Sequence, residues 1–128
     1  MLEFYDLNMQ NGVASIYQTH ITLNKPLLKY FIDAYKVRIG FDRADNKLYV
    51  FIINRDYAQS GEIPASSLLK VSLSKTYVRI CSKAMVQYIL KVFNLDFKDN
   101  DYLQFDANYD DAKKAVVINL KEEIKNVN

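Results

Sequence analysis

Two side chains stand out for chemistry, because the sequence contains one histidine, His20, and one cysteine, Cys81. A cysteine beside a histidine can act as a nucleophile activated by a base. The same two side chains could supply half of a zinc site, which needs three or four ligands. Both lie near predicted junctions between a strand and a helix, where a symmetric fold would bring them close. We expect a buried cysteine and an exposed or hydrogen-bonded histidine, and predict no catalytic and no metal site.

The other patterns that could carry chemistry are incomplete. The carboxylates of Asp106, Asp110 and Asp111 resemble a calcium loop, but the glycine of the sharp turn and the closing glutamate are missing. We therefore expect a solvated hairpin tip. The sequence contains no glycine-rich phosphate loop and no His-Glu-x-x-His motif. No pair of carboxylates is singled out for acid–base catalysis. These observations predict that the protein is not an enzyme and uses no cofactor and no small-molecule substrate.

Charge is unevenly distributed along the chain, although the net charge is only +2. Residues 70–98 carry six Lys or Arg against one Asp, a balance of +5, whereas residues 99–128 carry seven acids against four Lys, a balance of −3. Two interpretations stay open: two solvated faces of opposite sign, or a basic face that meets a polyanion. Tyrosines interleave with the cations, and aromatic rings beside cations can stack the bases of single-stranded nucleic acid. Tyrosine is also an ordinary surface residue of strands.

Length and composition indicate one domain. The chain has 128 residues, half of them hydrophobic, with only 3 Gly and 2 Pro, which is typical of a single packed core. A lone cysteine excludes an internal disulfide. The sequence shows no apolar run near the length of a membrane span and no secretory signal. We therefore expect a cytoplasmic protein that is not in a membrane.

Two stretches of sequence follow the same order of signals. Residues 20–31 read "HITLNKPLLKYF" and residues 78–89 read "VRICSKAMVQYI". Each begins with a strand pattern, passes a polar residue suited to cap a helix, and enters an apolar helical run that contains a Tyr. Asn24 and Ser82 are the expected N-caps, and Pro26 suits a first helical turn.

Each helix is followed by two more strand patterns joined by a polar turn. The first pair reads "KVRIGFD" and "LYVFII", and the second reads "YLQFD" and "AVVINL". The sequence thus predicts a repeat over about 14–53, a connector at 54–67, a second repeat over about 69–120 and a polar tail at 121–128, with a short strand and a turn before Gly12. The expected fold is α+β, with two β-α-β-β repeats forming one pseudo-twofold, barrel-like sheet core with short helices. The expected core residues are Leu23, Val37, Ile39, Phe41, Val50, Ile80, Ile89, Leu103, Phe105 and Val117.

The stretch "YVRICSKAMVQYILKVFNLDFKDNDYLQFDANYDDAKKAVVINL" is similar in layout to the AbrB/MazE swapped-hairpin family. The first half, with "ITLNKPLLKYF", resembles small uncharacterised bacterial proteins of the same layout. The resemblance covers about residues 14–120 and implies an interlaced barrel-like core that binds DNA or a toxin partner. It also implies that this chain is a tandem repeat, a covalent pseudo-dimer. The positions that match the family's basic residues are Thr22, Lys25 and Lys29 in the first copy, and Arg79, Lys83 and Gln87 in the second.

Two functional hypotheses follow. The first is a non-enzymatic interaction module that binds a protein partner or a second copy, through an exposed apolar strand or the acidic face at 99–111. The alternative is an AbrB-like DNA-binding transcriptional regulator or antitoxin-like protein that binds duplex DNA. For this alternative, the candidate nucleic-acid-binding residues are Lys25, Arg38, Lys75, Arg79 and Lys83.

Overall fold

A computed structural model describes residues 1–5 and 11–124 and contains an eight-stranded antiparallel sheet with short helices. The strands are β1 (Val13–Ile16), β2 (His20–Asn24), β3 (Lys36–Asp42), β4 (Lys47–Ile53), β5 (Ser72–Leu73), β6 (Tyr77–Cys81), β7 (Leu103–Asp110) and β8 (Ala115–Glu123). The helices are α1 (Lys25–Leu28), α2 (Arg55–Gln59) and α3 (Lys83–Val92), with 3₁₀ turns at Lys29–Phe31 and Ala65–Ser67. The predicted α+β class is confirmed.

The sheet is curled, and its strands follow the order β3-β4-β8-β7-β1-β2-β6-β5. Every neighbouring pair is antiparallel. Val37 of β3 and Leu69, which precedes β5, exchange two backbone hydrogen bonds of 3.0 and 2.8 Å. The two outer strands of the order are therefore linked at this point. Such curling allows the inward side chains of all strands to share one core.

Seven of the ten predicted core residues are buried, because alternation along a strand places every second side chain on the inner face. They are Leu23, Val37, Val50, Ile80, Ile89, Leu103 and Phe105. Ile39 is partly buried against the core. The prediction for Phe41 is wrong, because its side chain is 38% exposed. It lies next to the last residue of β3, where its ring contacts Tyr88 and Phe93 instead of the buried core.

The prediction for Val117 is wrong, because "AVVINL" is apolar at consecutive positions and does not show which alternate set points inward. Val116 and Ile118 are fully buried. Val117 lies between them on the outer face of the sheet, paired with Tyr49 of β4. It is half-buried rather than part of the core.

The helix starts follow the predicted positions, but the two caps work differently. The Ser82 hydroxyl accepts a hydrogen bond from the Met85 N–H at 3.1 Å, as expected for an N-cap. Asn24 precedes α1, yet its side chain accepts from the Val13 N–H at 2.8 Å and donates to the Asn11 carbonyl at 3.0 Å. Asn24 therefore ties the end of β2 to the start of β1. Pro26 lies in the first turn of α1, as predicted.

Three segments outside the main strands differ from the predictions. The connector contains helix α2, which begins where the Asn54 side chain accepts from the Tyr57 N–H at 2.8 Å. The segment predicted as a polar tail continues β8 to Glu123, because β8 pairs with the neighbouring strand there; residues 125–128 lie outside the described part. Residues 1–5 form no strand, and most of the predicted turn before Gly12 lies outside the described residues.

One ion-pair cluster connects β8 to the β3–β4 hairpin and carries a testable pH dependence. Asp45 accepts from Lys121 at 2.8 Å and from Lys47 at 2.9 Å, which lowers its pKa from 3.8 to about 2. A carboxyl whose folded pKa is depressed stabilises the fold above its ordinary pKa, and this contribution is lost as pH falls through the folded pKa.

In thermal melts we expect Asp45→Asn to lower Tm modestly at pH 6 and to match wild type near pH 2. The control is Asp33→Asn, at an exposed carboxylate without an ion pair among the described residues, where we expect no such pH dependence. A Tm difference for Asp45→Asn that is unchanged across this range would contradict the assignment.

Candidate functional site

The antiparallel ladder between β2 and β6 forms the centre of the candidate site. Its five pairs run from His20–Cys81 to Asn24–Tyr77, with Thr22–Arg79 at the middle. Ile21 and the other alternate residues of these strands are buried in the core. The remaining pairs therefore point outward, onto one face of the sheet. They are His20–Cys81, Thr22–Arg79 and Asn24–Tyr77.

A shallow depression of about 390 Å³ lies on this outer face. It falls in the range of small-ligand sites, about 300–1,000 Å³. Aromatic, hydroxyl, amide and guanidinium groups line it, and none of the lining residues has a carboxylate. The lining residues are Tyr17, His20, Thr22, Asn24, Thr76, Tyr77 and Arg79. The local chemistry is that of a surface for anions and planar rings.

A row of aromatic rings borders the depression. The rings of Tyr17 and His20 stack with centroids 4.4 Å apart and planes within 13°. The ring of Tyr102 leans on Tyr17, with centroids 5.3 Å apart. On the other side, Tyr77 is 37% exposed. The row arises because the β1–β2 turn sets Tyr17 beside His20, where the Tyr17 N–H donates to the His20 carbonyl at 2.8 Å.

Arg79 supplies the positive charge at the centre of the ladder. Its side chain is exposed and makes no hydrogen bond or ion pair with any residue of the described part of the chain. The nearest titratable group that it affects is His20, whose pKa is lowered by burial and by the charge of Arg79. His20 is therefore a neutral ring at pH 7, with Nδ1 2.9 Å from the Thr19 hydroxyl. Among the residues that line the depression, Arg79 is the one with a positive charge, and its guanidinium N–H groups are available to a ligand.

Four of the five predicted nucleic-acid-binding residues gather around the β2–β6 ladder. Arg79 lies at its middle, and Lys25 and Lys75 flank the end where Asn24 pairs with Tyr77. Lys83 begins α3 at the opposite end, where the Ser82 N–H donates to the Thr19 carbonyl. The ends of a five-residue ladder are about 14 Å apart at the usual rise of a strand.

Arg38 is not part of this group. It lies on β3, which borders β4 and the segment before β5 rather than β6. There it lines a different depression, which lies over β3 and β4. The order of the strands explains why Arg38 lies away from Arg79. The β3–β4 hairpin, which carries Arg38, pairs with β8 instead of β2.

His20 and Cys81 are close, as a symmetric fold would place them, because they are directly paired across the ladder. The histidine is hydrogen bonded, as expected. The expectation of a buried cysteine is wrong, since Cys81 occupies an outward position and is exposed. No group of three or more His, Cys, Asp or Glu side chains in the described residues could hold a metal ion. That the protein is not an enzyme stays a prediction.

The acidic hairpin tip is solvated, as predicted. The Asp110 carboxylate accepts from the backbone N–H groups of Ala112 at 3.0 Å and Lys113 at 3.2 Å. Asp111 pairs with Lys114 at 3.1 Å, with both side chains largely exposed. The carboxylates of this tip therefore cap a turn and pair locally.

Sequence reasoning missed Tyr17 as a site residue. The available signal was its spacing from His20 across a short turn between two strand patterns, which places both rings at one end of a hairpin. The partner strand β6 could not be inferred from that signal, because it is supplied by residues more than fifty positions away.

Comparisons with known proteins give no further guide to the site. Neither family models nor curated proteins matched the sequence significantly, and no solved structure matched the fold significantly. None of the helices in residues 1–5 and 11–124 is long and apolar enough to cross a membrane. The expected cytoplasmic location stays a prediction.

Proposed function

We propose that the chain is a fused pseudo-dimer of two β-α-β-β repeats, as the resemblance to the AbrB/MazE layout implies. The registers of two ladders support this. In the β2–β6 ladder, Ile21 pairs with Ile80 and Leu23 with Val78. β2 and β6 are the equivalent strands of the two proposed repeats, so a pseudo-twofold axis that relates the repeats would pass through the Thr22–Arg79 pair. The β4–β8 ladder has the same property about its Tyr49–Val117 pair.

The two hairpins support the same relation in detail. Asp42 and Asp110 each close the first strand, and each carboxylate accepts from the backbone N–H three residues later, Asp45 at 3.1 Å and Lys113 at 3.2 Å. Asn46 and Lys114, four residues after these Asp, both have positive φ, at 51° and 54°. The carbonyl of each accepts from the opposite hairpin: the Leu120 N–H donates to Asn46 at 2.9 Å, and the Ile52 N–H donates to Lys114 at 3.1 Å.

The tyrosine shared by the two helical stretches also makes equivalent contacts. Tyr30 stacks on Tyr109 with centroids 3.9 Å apart. Tyr88 meets Phe41 edge-on at 5.2 Å. Phe41 and Tyr109 each immediately precede the Asp that closes the first hairpin strand. Each helix therefore packs on the hairpin of the other repeat, as in an interlaced dimer.

In this pseudo-dimer, the outer face of the β2–β6 ladder acts as a non-enzymatic nucleic-acid-binding surface. The observation that carries the proposal is Arg79, with free donors at the centre of a concave face whose lining has no carboxylate. Lys25, Lys75 and Lys83 flank the ladder at its two ends. Guanidinium and ammonium groups so placed meet phosphates, and phosphate contacts supply most non-specific affinity. The AbrB-like regulator is the form of this function that the resemblance favours.

Arg79→Ala tests this function. In a fluorescence anisotropy titration at low salt with a labelled duplex, wild type should bind and Arg79→Ala should bind more weakly. The expected loss is about ten- to a hundredfold, since one charged hydrogen-bonding group contributes about 1.5–3 kcal/mol. Lys113→Ala, at the acidic hairpin tip, is the matched control and should bind as wild type does. Equal affinities of wild type and Arg79→Ala would remove Arg79 from the surface. An absence of duplex binding by wild type at tens of micromolar would overturn the duplex-binding regulator as the form of this function, since weak non-specific binders reach that range.

A second candidate function, the protein-interaction module, is favoured by an apolar depression of about 380 Å³ over β3 and β4. The occupant that the charges favour is a second copy of this chain. Arg38 and Asp42 lie two positions either side of Gly40 on β3. Two copies meeting antiparallel about Gly40 would set each Arg38 opposite the other copy's Asp42. The depression is lined by Arg38, Ile39, Gly40, Phe51, Ile53, Tyr57 and Ile63.

Light scattering coupled to size exclusion tests the self-association. The second candidate predicts a dimer that Arg38→Glu converts to monomer, because like charges would then face each other. A matched charge reversal at an exposed residue of α3, Lys91→Glu, should leave the mass unchanged. A monomeric wild type at hundreds of micromolar would rule out the second copy as occupant.

A further inference from the structure

The depression on the β2–β6 face differs from a plain basic patch because rings border it. One side holds the stacked pair of Tyr17 and His20, and the other side holds Tyr77. The middle is formed by Thr22 and Arg79, so the hydroxyl and guanidinium groups lie between two aromatic walls. This arrangement combines a flat apolar contact for a ring with donors for an anion.

The stacked pair of Tyr17 and His20 is held in place by contacts that do not involve the depression itself. Tyr102 packs against Tyr17 at 5.3 Å, and the Thr19 hydroxyl contacts His20 Nδ1 at 2.9 Å. Asn24, at the base, is fixed by its hydrogen bonds to the start of β1. A wall that is held before a ligand arrives loses little conformational entropy on binding. The Tyr17–His20 side of the depression is therefore preorganised.

We infer that this depression binds unpaired nucleotides of a single strand, with one base against each aromatic wall and the phosphate between them on Arg79. The inference rests on the nucleic-acid function proposed above and specifies its ligand as single-stranded. A base can lie against these rings only when it is free of its own strand's stacking, which a duplex does not allow. Base stacking on aromatic side chains is tolerant of sequence, because every base has a π-face.

The neighbouring charges fit this ligand. Thr22 and Ser72, which pair with Arg79 on its two sides, are uncharged. His20 is a neutral ring at pH 7, because burial and Arg79 lower its pKa. Across the sheet, Tyr77 and Asn24 lie side by side with Val13 and then Asp106. Asp106 has the nearest carboxylate along this line, and its strand, β7, is two strands away from β2. A phosphate on Arg79 thus meets no acidic group of the lining residues.

Three labelled probes test the inference by fluorescence anisotropy at low salt: a thymidine oligonucleotide, an abasic strand with the same number of phosphates, and a duplex of the same length. Wild type should bind the thymidine strand more tightly than the abasic strand and the duplex. Tyr77→Ala should weaken binding of the thymidine strand about five- to a hundredfold, the range measured for one stacked base. It should leave binding of the abasic strand and the duplex unchanged.

Tyr77→Phe retains the ring and should bind the thymidine strand as wild type does. Tyr57→Ala, at a similarly exposed Tyr in α2, is the matched control and should not change affinity. Tyr17→Leu is the second variant, which removes the aromatic ring on the opposite side of the depression. It provides the test if Tyr77→Ala does not fold. Equal binding of the thymidine and abasic strands, with Tyr77→Ala and Tyr17→Leu unaffected, would overturn the inference and leave the nucleic-acid function in place. An absence of binding to all three probes would overturn both.

Discussion

Phe105→Ala is expected to destabilise the fold by about 3–5 kcal/mol, the range found for truncating a buried Phe. The side chain is 1% exposed and lies on β7, which pairs with β1 on one side and β8 on the other. It faces Ala14 of β1 across the ladder, a small residue that cannot fill the cavity left behind. Since small domains are stable by about 5–15 kcal/mol in total, a large part of the stability should be lost. Urea denaturation gives the free energy of unfolding directly.

The matched control for this prediction is Phe4→Ala. Phe4 is 78% exposed, so the same truncation should change the free energy of unfolding by less than about 0.5 kcal/mol. A loss below about 1 kcal/mol for Phe105→Ala would show that this residue lies outside the core. Equal losses for the two variants would contradict the inward orientation of β7.

Binding to duplex DNA should weaken about a hundredfold when the salt concentration is raised fourfold. The proposed surface would provide about four phosphate contacts, from Arg79, Lys25, Lys75 and Lys83. Each contact contributes about −0.9 to the slope of log affinity against log salt on a duplex. The slope should therefore be about −3.6. On a single strand each contact contributes about −0.7, so the same four contacts give about −2.8. Anisotropy titrations at several salt concentrations measure both slopes.

The variants separate phosphate contact from general charge. Arg79→Ala should lower the magnitude of the duplex slope by about 0.9, the value of one contact. Lys113→Ala removes the same unit of charge at a hairpin tip, where its ammonium group lies 5.8 Å from the centre of the Tyr49 ring, and should leave the slope unchanged. A wild-type slope near zero would contradict phosphate binding, and equal reductions in both variants would point to net charge instead of the ladder.

Most elements of the fold were readable from the sequence because their signals are local, whereas helix α2 was not predicted. Alternating side chains mark β3 and β6, and the Ser82 hydroxyl and Pro26 mark the starts of helices. The inward face of β8 was not readable, because Val116 and Val117 are both apolar and either could point inward. Asn24 was placed correctly as the residue before α1, but its side-chain partner at Val13 depends on the fold of the β1–β2 hairpin.

The candidate site was only partly readable, because it depends on pairing between distant segments. Arg79 stood out in the sequence by charge and by its place in the second repeat. Tyr17 and Tyr77 meet at one depression only because β2 pairs with both β1 and β6. Arg38 carries the same charge as Arg79, yet the pairing of β4 with β8 places it on another face. Charge alone therefore could not separate these two residues.

The most direct test of the proposed binding surface is backbone NMR of the ¹⁵N-labelled chain, titrated with a short thymidine oligonucleotide at low salt. We expect amide shifts to change chiefly in β2, β6 and the residues that flank them, including Tyr17, Thr22 and Arg79. The amides of Asp110 and Lys113 at the acidic hairpin tip should remain unchanged. No shift changes at millimolar oligonucleotide, or changes confined to β4, β8 and that tip, would contradict binding at the β2–β6 face.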